Sequence, residues 1–354
     1  MPAISHPAPP ASPAASQPPA AKPRKKRNYT KKNFLEFLCT VPALLLIVLL
    51  NHYPLVELVR YSFTDWNMLK KNYKYVGLTN WKWFFTTLDT NHVLNSFKVT
   101  LLYTVAHLAI IIIVGLLFAL LFNRMNKAYA FMRSVIFMPH YVAMSSVAII
   151  FLWLTNENYG VFNYVLKLLG LSPVAWLSSS SVAIWTLVIV AAWRGIGYNM
   201  IIYLSAMQGI NKDYYEAAAL DGASRLAIFR RITLPMLAPT TAFLLVTQFI
   251  SSMKVYNVVD IMTSGGPAHS TEVLVYMLYQ MTFESYRIDR ASVISIVFFV
   301  FLMTLIVMVR NIREWWKSWK VIFVVGEIAV FCYHLVCGVN FLMYAVLGND
   351  LAGF

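Results

Sequence analysis

The sequence is poor in charge. Asp, Glu, Lys and Arg make up 12% of its 354 residues, about half the share of an ordinary soluble domain. That scarcity excludes a soluble fold for most of the chain. Acidic residues are the scarcer sign, 15 against 29 basic ones, and they lie mainly in loops. No two carboxylates share a helix face in a way that points to hydrolysis. Cysteine is nearly absent: Cys39, Cys332 and Cys337 all lie in apolar stretches, with neither metal-ligand spacing nor a disulfide framework. The chain also lacks a G-x-x-x-x-G-K-[ST] phosphate loop, a G-x-S-x-G elbow and an H-E-x-x-H pair. No catalytic site, metal site or resident cofactor emerges, and any ATP chemistry has to come from another polypeptide.

What the chain has in abundance is apolar sequence, 59% of residues, with a mean hydropathy of +0.62. The apolar residues fall into runs of the ~20 residues that cross a bilayer as a helix. A helix satisfies its own backbone polar groups inside lipid. Six spans are predicted, at 35–56, 97–122, 131–154, 182–207, 236–256 and 289–309. A net charge of +14 invites a nucleic-acid reading, but the basic residues cluster at the ends of apolar runs. With the N-terminus inside, Lys and Arg number 18 on the inner side and 10 on the outer, the bias of a protein with both core termini in the cytoplasm. The first outer loop, Arg60 to Lys98, is more basic than that rule favours.

The ends differ from the core. Residues 1–33 read as a disordered Pro/Ala-rich tail closing on the basic cluster Lys22 to Lys32. The leader is too long and Pro-rich for a signal peptide, and no small-residue cleavage site follows the first apolar run. Residues 34–320 form the six-span domain, and 321–354 an atypical hydrophobic tail. Its apolar stretch, 321–347, is interrupted by Glu327 and His334. Three readings stay open for it: a seventh span, an amphipathic lid, or a reading-frame accident at the gene's end.

Between the fourth and fifth spans lies a segment of a different kind, Asn211 to Pro235. Lys212 to Leu220 is rich in good helix formers. Gly222 stands where a chain reversal needs a residue without Cβ restriction. Ser224 can cap a second helix carrying Leu226, Ile228, Phe229 and Ile232. Pro235 stops that helix or starts the next. Two short helices at an angle make a knob suited to a partner's groove; an amphipathic loop on the membrane surface is the alternative. Glu216-Ala217-Ala218, Gly222, Ile232 and Leu234-Pro235 resemble, at every position, the "EAA" loop of binding-protein-dependent ABC importer permeases. The family form is Glu-Ala-Ala, three residues, Gly, nine residues, Ile, one residue, Leu-Pro.

The resemblance extends over roughly residues 35–310 and is nearest to the carbohydrate-uptake branch of maltose and glycerol-phosphate type, which pairs two different permeases. Tyr53-Pro54-Leu55 with Tyr61-Ser62-Phe63, Arg133 through Pro139 with Trp153, Ile201 through Gln208, and Thr263 through Pro267 with Thr271 carry it. Arg290-Ala291-Ser292 departs from the family's Gly-Tyr-Ala-Ser-like stretch, as does the C-terminal tail. The resemblance implies an all-α membrane protein, a six-span bundle with cytoplasmic coupling helices, multi-pass in a bacterial cytoplasmic (inner) membrane. Glu216, Ala217, Ala218, Asp221, Gly222, Ile232, Leu234 and Pro235 would couple it to a cytoplasmic ABC ATPase dimer, with Glu216 as the charged contact and ATP and Mg bound by that ATPase. The further partners implied are a second permease in a heterodimer, an extracytoplasmic solute-binding protein, a carbohydrate substrate and the lipid bilayer, with no nucleic acid.

Polar and aromatic groups inside spans are costly unless they line a cavity or pair with a neighbour. They concentrate in the fourth and fifth spans as Trp193, Arg194, Tyr198 and Asn199, then Gln248, Ser251, Ser252 and Lys254. Trp and Tyr faces with Gln and Ser hydrogen-bonding groups suit a sugar. The resemblance to maltose-type permeases points to Gly195 and Tyr198 on one span and Gln248, Ser251 and Ser252 on the other; with Trp193 these are the expected substrate contacts. The bland reading is that Ser and Gln bond neighbouring helices and that Trp and Tyr mark the interface. Arg194 and Lys254 would suit an acidic sugar or phosphate ester, although a basic residue beside Trp193 is ordinary for the family. His107 and His140 read as packed side chains rather than proton relays. An ion-coupled secondary transporter or channel is the competing class. It calls for acidic residues or broken helices mid-membrane, and the six core spans are expected to show none. A membrane scaffold that holds an ATPase without moving solute is a third.

Overall fold

In the computed structural model, residues 29–69, 71–87, 92–124 and 126–315 are described; the N-terminal tail before residue 29 and the stretch 321–347 lie outside them. The chain divides into two units, 1–48 and 49–354. The first contributes α1 (Tyr29–Ile47), apolar on all sides over its second half. In the second, all regular elements among the described residues are helices, with one isolated bridge between Thr64 and Tyr75.

Its elements in order are α2 (Tyr53–Tyr61), α3 (Thr79–Thr86), α4 (Val93–Leu121), α5 (Lys127–Phe137), α6 (Met144–Leu154), α7 (Val161–Leu168), α8 (Ala183–Gln208), α9 (Asp213–Leu220), α10 (Arg225–Ile228), α11 (Leu234–Met236), α12 (Ala238–Met253), α13 (Asn257–Met262), α14 (Leu274–Tyr279) and α15 (Ile288–Trp315). Four helical runs are long and apolar enough to cross a membrane: Leu38–Tyr61, Val93–Leu121, Ala183–Gln208 and Ile288–Leu305. They match the first, second, fourth and sixth predicted spans.

The third predicted span is not a single helix, and the fifth, the helix α12, is entered from the preceding loop segment through a bend. Lys127–Tyr141 meets Met144–Leu154 at 99°, and Arg225–Met236 meets Ala238–Met253 at 59°. The expectation of unbroken core spans is corrected here, and the reasons are local. A tight 3₁₀ turn, Met138–Tyr141, carries Pro139, and Val142 and Ala143 are extended. In the fifth span Pro239 has no N–H to return to the Pro235 carbonyl, so the helix bends at Leu237 between them. Pro235 does not end its own helix. A π-helical turn, Phe229–Thr233, absorbs it, with the Leu234 N–H reaching back to the Phe229 carbonyl.

Around α4 and α8 the bundle is close-packed. Tyr203, Met200, Leu237 and Leu244 are buried in one cluster with α4, and Leu187, Val188, Val147 and Val259 in another. At Gly197 the α5 backbone runs so near α8 that a Cβ would stand 2.3 Å from the Ile136 carbonyl oxygen. The segment after α7 is pinned by buried Asn163, whose side chain bonds Val174 N and O and the Trp176 indole at 2.9–3.0 Å. The loop before α14 is held by Thr271, within 2.6 Å of the Gly266 carbonyl and 2.8 Å of the Thr263 hydroxyl. Buried Glu272 joins it to α4, pairing with His269 and accepting from Ser96 at 3.1 Å.

Candidate functional site

The residues singled out by sequence fall into two groups: the knob between α8 and α12, and the polar and aromatic positions of α8 and α12 themselves.

The knob is built by capping. Asp213 and Glu216 lie in the first turn of α9, where negative charge complements the helix dipole. The Asn211 side chain accepts from the Asp213 N–H at 3.1 Å. At the other end Gly222 has φ +73°. Its N–H bonds the Ala219 carbonyl at 3.1 Å while the Ala223 N–H bonds the Ala218 carbonyl at 3.0 Å. These two bonds are a Schellman stop, which satisfies the last carbonyls and turns the chain. The Ser224 hydroxyl then accepts from the Ala227 N–H at 3.3 Å and starts α10. The two arms are tied by Tyr215, whose hydroxyl lies 3.2 Å from that of Thr233 in the π turn.

Capping leaves an outward face. Glu216, Ala217, Asp221 and Gly222 are exposed, Ala218 is half-buried, and Leu220 at the tip is 90% exposed. Tyr214 and Leu226 are also exposed. On the second arm Ile232 is half-buried while Leu234 and Pro235 are exposed. All eight residues expected to couple thus lie on one capped, double-armed element. Leu220, outside the motif, adds its most exposed apolar side chain, and no sequence signal distinguished it from a core leucine.

The six expected substrate contacts do not gather at one point. Trp193 is 45% exposed and packs against Phe151 of α6 at 5.2 Å between ring centroids. Gly195 faces α4 near His107 and Ile111. Tyr198 stacks on His140 at 5.0 Å, beside the break in the third span. Ser252 is buried, its hydroxyl 2.7 Å from His107 Nδ1. Gln248 is half-buried and Ser251 exposed. Gly195 and Ser252 are brought together around His107, whereas Trp193 and Tyr198 lie on other faces of α8. Arg194 has a structural part: its Nε donates to the Val142 carbonyl at 2.8 Å, satisfying a group that the helix break sets free. His107 and His140 are packed as expected, His107 between helices and His140 between the rings of Phe137 and Tyr198. That His107 is a junction was signalled only by an ionisable residue at mid-span.

Residues 111–311 match the family described as "Binding-protein-dependent transport system inner membrane component". A probable ABC transporter permease protein of Sinorhizobium fredii, y4oQ, is 31% identical over 257 residues, covering 72% of this chain and 82% of the relative. A probable starch degradation products transport system permease protein of Thermoanaerobacterium thermosulfurigenes, AmyD, is 30% identical over 261 residues, 74% of this chain and 87% of the relative. The sn-glycerol-3-phosphate transport system permease protein UgpA of Agrobacterium fabrum is 30% identical over 261 residues, 73% and 87%. Among solved structures, a chain of a bacterial alginate ABC transporter in complex with an alginate pentasaccharide-bound periplasmic protein superposes with a TM-score of 0.73 at 22% identity, over 84% of this chain and all of that chain. At that identity the likeness speaks for the fold.

Proposed function

The chain belongs to the family of binding-protein-dependent transport system inner membrane components, and from that premise we propose that it imports a carbohydrate by alternating access. It is an ABC transporter permease, a transport subunit and not an enzyme; the ATPase is a separate subunit. Family membership overrides the competing ion-coupled transporter or channel, although the broken third span would have suited it. The carbohydrate class rests on a relative named for starch degradation products. A relative named for glycerol 3-phosphate marks how near a phosphate ester stands.

In this reading the N-terminus is cytoplasmic and the partners are a second, different permease, a dimer of the ATPase carrying ATP and Mg, and a solute-loaded extracytoplasmic binding protein. Two states of the bundle exchange, and each ligand shifts them only by its differential affinity. ATP and the loaded binding protein therefore both favour the outward-facing form. The observation that carries the coupling role is the knob: a helix stopped by a Schellman turn, with Glu216 and the 90% exposed Leu220 facing outward and no covering element among the described residues. An apolar tip rimmed by charge is the form of a docking surface.

A detergent pull-down of the chain beside its Glu216→Arg variant, read by mass spectrometry, tests it. Wild type is expected to bring down a phosphate-loop ATPase and a second permease, and the variant to lose the ATPase alone. Wild type without any ATPase would sink the coupling role.

A further inference from the structure

Among the polar groups buried in the bundle, His107 joins three helices. It is the middle residue of α4 and 8% exposed. Its Nδ1 lies 2.7 Å from the Ser252 hydroxyl of α12, and the same hydroxyl lies 2.7 Å from the Gln248 carbonyl one turn earlier. Nε2 faces α8: a Cβ on Gly195 would stand 3.9 Å from it. Tyr103 stacks on the imidazole at 5.7 Å and 11°, fixing its plane.

The proton inventory limits what this junction can do. A neutral imidazole has one N–H and one acceptor nitrogen, and a serine hydroxyl has one proton. The Gln248 carbonyl only accepts. If the ring proton is on Nε2, Nδ1 is an acceptor and takes the Ser252 proton, so the Gln248 carbonyl goes without. If the ring proton is on Nδ1, Ser252 accepts it and donates to Gln248. Either arrangement ties α4 to α12 through the same hydroxyl. In both, the single Ser252 proton is spent inside the bundle. By contrast, neither the Gln248 amide nor the Ser251 hydroxyl is committed to a protein partner among the described residues.

We propose that His107 is a positioning residue for solute recognition: from α4 it sets the spacing of α8 and α12, and it withholds the Ser252 hydroxyl from the solute, leaving Gln248 and Ser251 to donate. The proposal rests on the importer reading above.

The test uses the complete transporter in lipid nanodiscs with its binding protein, and reads ATP hydrolysis. Maltotriose, sn-glycerol 3-phosphate and an alginate tetrasaccharide are screened on wild type, and the strongest stimulant is titrated on His107→Leu, His107→Asn, Ser252→Ala and the Leu/Ala double variant. Loss of one buried hydrogen bond corresponds to about a tenfold change. His107→Leu is thus expected to raise the half-saturating solute concentration about tenfold. Ser252→Ala should raise it less, and the double variant should be no worse than His107→Leu alone. His107→Asn, whose amide takes the place of Nδ1, should recover most of the loss, and only while Ser252 is present. Multiplying effects in the double variant would show Ser252 acting on the solute directly and overturn the proposal. So would a His107→Leu variant that changes the maximal rate and leaves half-saturation untouched. If the leucine variant does not assemble, persistence of the asparagine rescue in a Ser252→Ala background overturns it equally. Wild type unstimulated by all three solutes would instead refute the carbohydrate-importer reading on which the proposal stands.

Discussion

Gly195 and Gly197 stand two residues apart in α8, and alanine is expected to have opposite effects at them. A Cβ at Gly197 would lie 2.3 Å from the Ile136 carbonyl oxygen, 2.7 Å from Phe137 Cα and 2.9 Å from the Ile136 carbonyl carbon. All three are backbone atoms, so no side-chain rotation relieves the clash and α5 has to move away. That movement loosens two further contacts, the Arg194 bond to the Val142 carbonyl and the Tyr198–His140 stack. Overpacking costs about 1–3 kcal/mol, a charged hydrogen bond about 1.5–3 and an aromatic pair about 0.5–1.5. With partial retention of each, Gly197→Ala should destabilise by roughly 3–5 kcal/mol. A Cβ at Gly195 would meet Ile111 Cγ2 at 3.5 Å and His107 Nε2 at 3.9 Å, ordinary contact distances. There alanine should be neutral, or stabilising by up to about 1 kcal/mol through helix propensity. The assay is thermal denaturation of the purified complex, followed by size-exclusion peak height and tryptophan fluorescence. Gly197→Ala should melt well below wild type or fail to yield a monodisperse peak, and Gly195→Ala should melt at or above it. Equal melting of the two variants would refute the claim that the helix break is seated by close backbone approach. Stable folding of Gly195→Ala also isolates its effect on transport from any effect on the fold.

Two further outcomes follow from the geometry. Gly222→Ala puts a Cβ on a residue at φ +73°, which costs about 1–2 kcal/mol; titration of the purified ATPase should show about tenfold weaker association with no change in bundle stability. Glu272→Leu removes the acceptor of buried Ser96 and the partner of His269; it should cost about 1–3 kcal/mol in thermal melting, and Glu272→Gln, which keeps an acceptor for Ser96, much less.

Much of the architecture was legible because its cause is local. A run of apolar residues long enough to span needs no partner to declare itself, and α4, α8 and α15 begin within a few residues of where hydropathy puts them. The knob was legible for a different reason: its caps are chemical, so Gly222 and Ser224 announce a stop and a start from residue type alone. Composition hid the breaks. The stretch 131–154 is apolar enough to read as one span, yet Pro139 opens it and extended residues 142–143 turn it through 99°. Pro235 drew attention as a helix boundary, whereas the bend sits at Leu237, because Pro239 withholds the N–H that Pro235 would have received.

The sequence by itself determined that this chain lives in a membrane, that its backbone is helical there, and that one loop is capped at two places into a short helical knob. These follow from hydropathy and from the φ preferences of single residues. Which polar groups are spent on the protein and which stay free was decided only in three dimensions. Ser252 reads like Ser251 along the chain, but α4 brings His107 against one and leaves the other exposed. Arg194 reads as a charge awaiting an anion, until the third span breaks beside it and exposes a carbonyl for it to satisfy. A hydrogen bond is a relation between groups far apart in sequence, and in a bilayer, where water cannot stand in for a missing partner, the fold alone settles which groups meet.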